Sequence, residues 1–87
     1  MIIINGIELP QETMAIRLEP SKYLDAAIHS YSSEKDVLIY YVPTLISSFI
    51  DQGMTESEAW EWFHYNTLNT HIANYPIFID HNNKEYL

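Results

Sequence analysis

The stretch Gly53-Met54-Thr55-Glu56-Ser57-Glu58-Ala59-Trp60-Glu61-Trp62-Phe63-His64-Tyr65-Asn66-Thr67-Leu68 constrains this chain more than any other. It reads as the end of one helix, a short joint, and the start of a second, aromatic-rich helix. Gly53 suits the position just past a helix end, because it enters the left-handed region without a Cβ clash. Thr55-x-x-Glu58 has the form of a capping box, in which the Thr55 side chain accepts from the Glu58 amide and the Glu58 carboxylate accepts from the Thr55 amide. Met54 and Ala59 fall where a hydrophobic staple would close. A joint this short sends both helices against a common surface. The signal is structural and carries no chemistry.

The chain around this joint has 87 residues, the size of one domain, with 47% apolar and 14% aromatic residues. That is enough material for a small core. It is read as a single domain over 1–87, with an N-terminal arm over 1–19, a core over 20–79 and a polar tail over 80–87 that is expected to fray. There is no cysteine, so neither a disulfide framework nor a cysteine-based zinc site is available. Met1-Ile2-Ile3-Ile4-Asn5-Gly6 lacks the basic region and long apolar run of a signal peptide. No apolar run approaches a membrane span of about 20 residues. The expected location is the cytoplasm.

Twelve acidic residues stand against only Arg17, Lys22, Lys35 and Lys84, a formal net charge of −8. Nucleic-acid binding draws its affinity from cations that neutralise phosphates, and anionic membranes attract basic segments. Direct binding to either is therefore not expected. The charge suits a partner with a basic surface, such as the nucleic-acid groove of another protein; it also suits plain solubility.

Along the chain, Ile2-Ile3-Ile4 and Ile7-Glu8-Leu9 flank Asn5-Gly6, the preferred pair for a two-residue hairpin turn. Alternation over Thr13–Leu18 favours a further extended strand. Pro20–Asp25 reads as a helical turn or irregular connection, and Ala26–Tyr31 as a strand. A polar turn at Ser32–Asp36 leads to Val37–Val42, the strongest strand, apolar on both sides and so central in its sheet. Pro43 opens a helix over Thr44–Gln52 whose inward face is Leu45, Ile46, Phe49 and Ile50. The second helix runs from about Glu56 to Asn69, with Ala59, Trp60, Phe63, Asn66 and Thr67 inward. Trp62 and Tyr65 lie at its margin, and Glu58, Glu61 and Leu68 opposite. Pro76–Ile79 is a last short strand. The fold class is α+β: a small antiparallel sheet of about three strands, two consecutive helices on one face, and an N-terminal β-hairpin arm.

Candidate chemistry is sparse. Glu61-x-x-His64 has the spacing of carboxylate-bridged di-iron sites, but those need a second copy and further glutamates. His64, His71 and His81 are too far apart in sequence to form a zinc motif. Asp80-His81 would point to opposite faces of an extended segment. There is no Gly-x-Ser-x-Gly elbow, and Gly6 and Gly53 cannot make a phosphate loop. No enzyme, no metal and no cofactor is expected.

The aromatic residues carry more. Trp60, Phe63, Phe78 and one of Tyr40 and Tyr41 are expected to fill the core. Trp62 and Tyr65, beside Glu58 and Glu61, form a half-exposed aromatic pair of the kind that anchors protein interfaces. With Glu56 they make a candidate contact surface: Glu56, Glu58, Glu61, Trp62 and Tyr65. Asn66, an amide on the inward face, is expected to tie the helix to the segment before Pro76.

Asp25-Ala26-Ala27-Ile28, Gly53-Met54-Thr55 with Glu58-Ala59, Phe63 with Asn66-Thr67, and Pro76-Ile77-Phe78 occur here in an order that resembles a widespread group of small uncharacterised bacteriophage and prophage proteins. The likeness covers about residues 20–79. It departs at His29-Ser30, where that group carries a glycine, and at Asn69–Tyr75, where it has a glycine-bearing turn. The resemblance implies a phage accessory protein and supplies no catalytic residues. Its acidity and small size lead to the expectation that the chain binds a host protein and occludes a basic, nucleic-acid-facing surface of it, as acidic inhibitors of CRISPR-type defence complexes do. The alternatives are an oligomer that sequesters a nucleotide signal, with Arg17 and Lys22 as its cations, and a structural homodimer.

Overall fold

The computed structural model describes residues 1–67 and 72–86. β1 (Ile2–Ile4) and β2 (Ile7–Leu9) pair antiparallel, with Ile4 opposite Ile7. Asn5 (φ 51°) and Gly6 (φ 78°) both take the left-handed backbone of the turn, as a two-residue hairpin of this type requires. α1 (Ser21–Leu24) and a 3-10 turn (Asp25–Ala27) lead into β3 (Ile28–Ser32), which is antiparallel to β4 (Val37–Tyr41). α2 (Val42–Asp51) and α3 (Glu56–Asn66) follow, and then β5 (Ile77–Ile79). The main sheet has the order β3-β4-β5, so β4 is central as its composition suggests.

The α+β class, the hairpin arm and the paired helices are as expected; several details differ. β5 joins β4 in parallel, Ile39 opposite Ile77 and Tyr41 opposite Ile79, so the sheet is mixed and not wholly antiparallel. The helices between these strands supply the long crossover that parallel pairing needs. Thr13–Leu18 is not a strand. Its amides are satisfied one at a time by unrelated partners: the Asp36 carboxylate takes Met14, the Asn74 carbonyl takes Ile16, and the Tyr40 hydroxyl takes Leu18. Alternating side chains allow a strand, but without a neighbouring ladder the segment stays irregular. β3 begins at Ile28, two residues later than expected, because Asp25–Ala27 is wound into the 3-10 turn.

The tail over 80–87 is also revised: its described part, through Tyr86, folds back along β5. Glu85 bridges Ile79, and the Tyr86 amide donates to the Phe78 carbonyl at 2.7 Å. The Tyr86 ring meets Phe63 edge-on at 5.5 Å between centroids. Phe63 is fully buried and also meets Phe78 and Trp60 edge-on, at 5.2 and 6.0 Å. Tyr40 and Phe78 are buried as expected, whereas Trp60 is half-buried against the core. Ile50, placed inward by its spacing, is 39% exposed at the rim of the α2 face. The Asn66 side chain, Leu68, Asn69 and His71 lie outside the described residues.

Two internal anchors are testable. The Tyr40 hydroxyl is buried, accepts the Leu18 amide at 2.8 Å, and has its pKa pushed up to about 12, chiefly by burial. Tyr40→Phe strands a buried N–H and should lower stability by about 1–3 kcal/mol, read from urea denaturation. Tyr86→Ala should lower it by about 1–2 kcal/mol through the lost aromatic contacts; a frayed tail would give a change near zero.

Candidate functional site

The geometry of the α2–α3 joint decides what α3 presents. The Gly53 amide donates to the Ile50 carbonyl at 3.0 Å and the Met54 amide to the Phe49 carbonyl at 3.2 Å. These are the paired bonds of a Schellman ending, with Gly53 at φ 107°. Immediately afterwards the Thr55 hydroxyl accepts the Glu58 amide at 3.1 Å and the Glu58 Oε1 accepts the Thr55 amide at 2.9 Å. Both halves of the capping box are formed. The start and rotation of α3 are thereby fixed.

From that start, Ala59, Phe63 and Thr67 turn inward and are buried. Glu58, Glu61, Trp62 and Tyr65 follow at i, i+3, i+4 and i+7, which places them on one stripe of the helix. With Met54 they line a shallow open groove of about 430 Å³. The Trp62 ring is held from behind by Phe49 of α2, at 4.6 Å between centroids. Tyr65 is 80% exposed and forms the outer wall. Glu56 is exposed in the first turn and does not line the groove. Of the candidate contact residues Glu56, Glu58, Glu61, Trp62 and Tyr65, the groove brings together the last four. Met54, which the sequence marks only as a staple residue, lines the same groove.

Among the residues lining this groove there is no Lys or Arg. The Thr55 amide, and then the Thr55 hydroxyl, hold the Glu58 carboxyl below its ordinary pKa, so it is charged at neutral pH. Several other carboxylates are committed to the fold. Asp36 accepts from the Thr13 and Tyr31 hydroxyls and the Met14 amide, which hold its pKa down. Asp80 caps its own turn through the amides of Lys84 and Asn82, and no hydrogen bond joins it to His81.

The His64 ring stacks on Trp60 at 5.9 Å, while His81 shares a second shallow groove with His29, Tyr41 and Thr44. Among the described residues no group of three or more His, Cys, Asp or Glu is placed to hold a metal ion. Both nitrogens of the Arg17 fork, Nε and Nη2, donate to the Asp25 carboxylate, and Lys22 lies over the Tyr23 ring at 5.6 Å. Neither cation lines the α3 groove or the histidine groove. No described helix is long and apolar enough to cross a membrane. Compared with protein-family models, curated proteins and solved structures, the chain matches none.

The capping box makes a pH prediction. Because the folded-state pKa of Glu58 lies below 4.5, its contribution to stability is present above the ordinary carboxylate range and is lost as pH falls through the folded value. Glu58→Gln should therefore lower the urea midpoint at pH 7, and the gap from wild type should shrink as the pH is taken well below 4.5.

Proposed function

We propose that this chain is a non-enzymatic binding protein, of the kind phages direct at their hosts, whose α3 face occludes a basic, nucleic-acid-facing surface of a host protein. The observation that carries the reading is the stripe itself. Glu58, Glu61, Trp62 and Tyr65 line one groove with Met54, and no Lys or Arg is among its described lining residues. Negative charge steers a basic partner toward such a face, and aromatic side chains supply the area that becomes buried. The net charge of −8 discourages direct contact with phosphate. The order of motifs over residues 20–79, similar to that of small phage proteins, supports a role inside the host cytoplasm.

The nucleotide-signal alternative draws on Arg17 and Lys22 for its cations. The Arg17 guanidinium is already engaged by Asp25, so the protein-binding reading is preferred.

The test is capture from host lysate on the immobilised protein at low and at high salt. A specific partner should be retained at low salt, released at high salt, and missing when Glu61→Lys and Tyr65→Ala are introduced together. Both side chains are exposed, so the fold should survive, as circular dichroism will show. Undiminished capture by the double variant removes α3 as the docking face.

A further inference from the structure

We propose that the α3 groove recognises one arginine side chain presented by the partner, its guanidinium lying against Trp62 and Tyr65 and its N–H fork on the Glu61 carboxylate. The inference rests on the reading of α3 as the docking face and names the chemistry that the face reads.

A groove of about 430 Å³ matches a side chain and its immediate neighbours, near the lower end of ligand-sized sites. Its lining combines ring faces with carboxylates and a thioether, from Trp62, Tyr65, Glu58, Glu61 and Met54. Cations are attracted to ring faces, Trp best of all and arginine most often. A planar guanidinium satisfies a carboxylate through two parallel bonds while its flat surface stacks on an aromatic ring. A lysine ammonium is more strongly hydrated and has no plane to stack, so it would use the charge alone.

The walls are set before a ligand arrives. Phe49 backs the Trp62 ring, and the capping box holds Glu58 by Oε1, leaving Oε2 outside the box. Glu61 makes no hydrogen bond or ion pair among the described residues. None of Arg17, Lys22, Lys35 and Lys84 lines the groove, so the complementary charge has to come from outside the chain. Elsewhere the molecule uses the same chemistry on itself, where Arg17 grips Asp25 through its fork. Tyr65 is the exposed wall, and its burial on docking would remove water from the ion pair and strengthen it.

The experiment is a titration of the isotope-labelled protein with a capped Gly-Arg-Gly peptide, followed by NMR at the Trp62 indole N–H. That resonance is assigned with Trp62→Phe. The same peptide with lysine, and then with uncharged citrulline, at the central position gives the controls at constant ionic strength. The arginine peptide should shift the indole saturably and bind about fivefold more tightly than the lysine peptide, and citrulline should give no saturation. Glu61→Gln should weaken the arginine response and leave the rest of the spectrum in place.

Equal response to lysine, or shifts spread evenly over the acidic surface, overturns the proposal. If the arginine peptide fails while Glu61→Lys with Tyr65→Ala still abolishes partner capture, the docking face stands and arginine recognition falls. If the peptide saturates the groove but that double variant still captures the partner, arginine recognition stands and the docking assignment falls.

Discussion

The start and rotation of α3 are set by a joint of two residues, Gly53 and Met54. A helix end exposes carbonyls and a helix start exposes amides, and a joint this short must satisfy both sets almost at once. Here the Schellman bonds close α2 and the Thr55–Glu58 box opens α3. The result fixes rotation as well as position. Each residue advances about 100° around a helix, so a shift of one place would bring His64 to the position of Phe63 and turn the Glu58–Tyr65 stripe away from its groove. The local geometry of capping is therefore what separates a buried face from a presented one.

On the buried face Phe63 ties distant parts of the chain together. Its ring meets Trp60 on its own helix, Phe78 on the parallel strand and Tyr86 in the returning tail. Each edge-to-face pair adds on the order of 0.5–1.5 kcal/mol beyond area burial, a sizeable share of the stability of a domain this small. Across the sheet, Tyr40 meets Phe78 at 6.0 Å and accepts the Leu18 amide from the N-terminal segment. Arm, sheet, helices and tail are thus joined through one run of aromatic side chains.

The acidity of the chain divides into two kinds of carboxylate. Asp25, Asp36 and Asp80 are engaged with Arg17, with hydroxyls and with backbone amides. They are structural groups whose charge is already compensated locally. Glu61 is turned outward beside an aromatic wall and has no such partner among the described residues. Glu58 belongs to both kinds, since one oxygen closes the capping box while the residue lines the groove. A net charge taken from composition treats these groups alike. The fold tells them apart: Glu58 and Glu61 share a groove with Trp62 and Tyr65.

What the residue string decided by itself was local: the Asn5-Gly6 hairpin turn, the Gly53 helix end and the Thr55–Glu58 box. In each, the interactions that set the conformation connect residues a few places apart, so their spacing is sufficient evidence. The tertiary structure decided the rest. It made β5 parallel, left Thr13–Leu18 without a ladder, brought Tyr86 onto Phe63, and drew Met54 into a groove with Trp62 and Tyr65. Those outcomes depend on partners far away in sequence, where alternation or polarity in one segment cannot say which surface arrives opposite it. Glu58, Glu61, Trp62 and Tyr65 could be read as neighbours because a helix repeats at short range; that they enclose a groove required Phe49 and Met54, brought in by the turn between two helices.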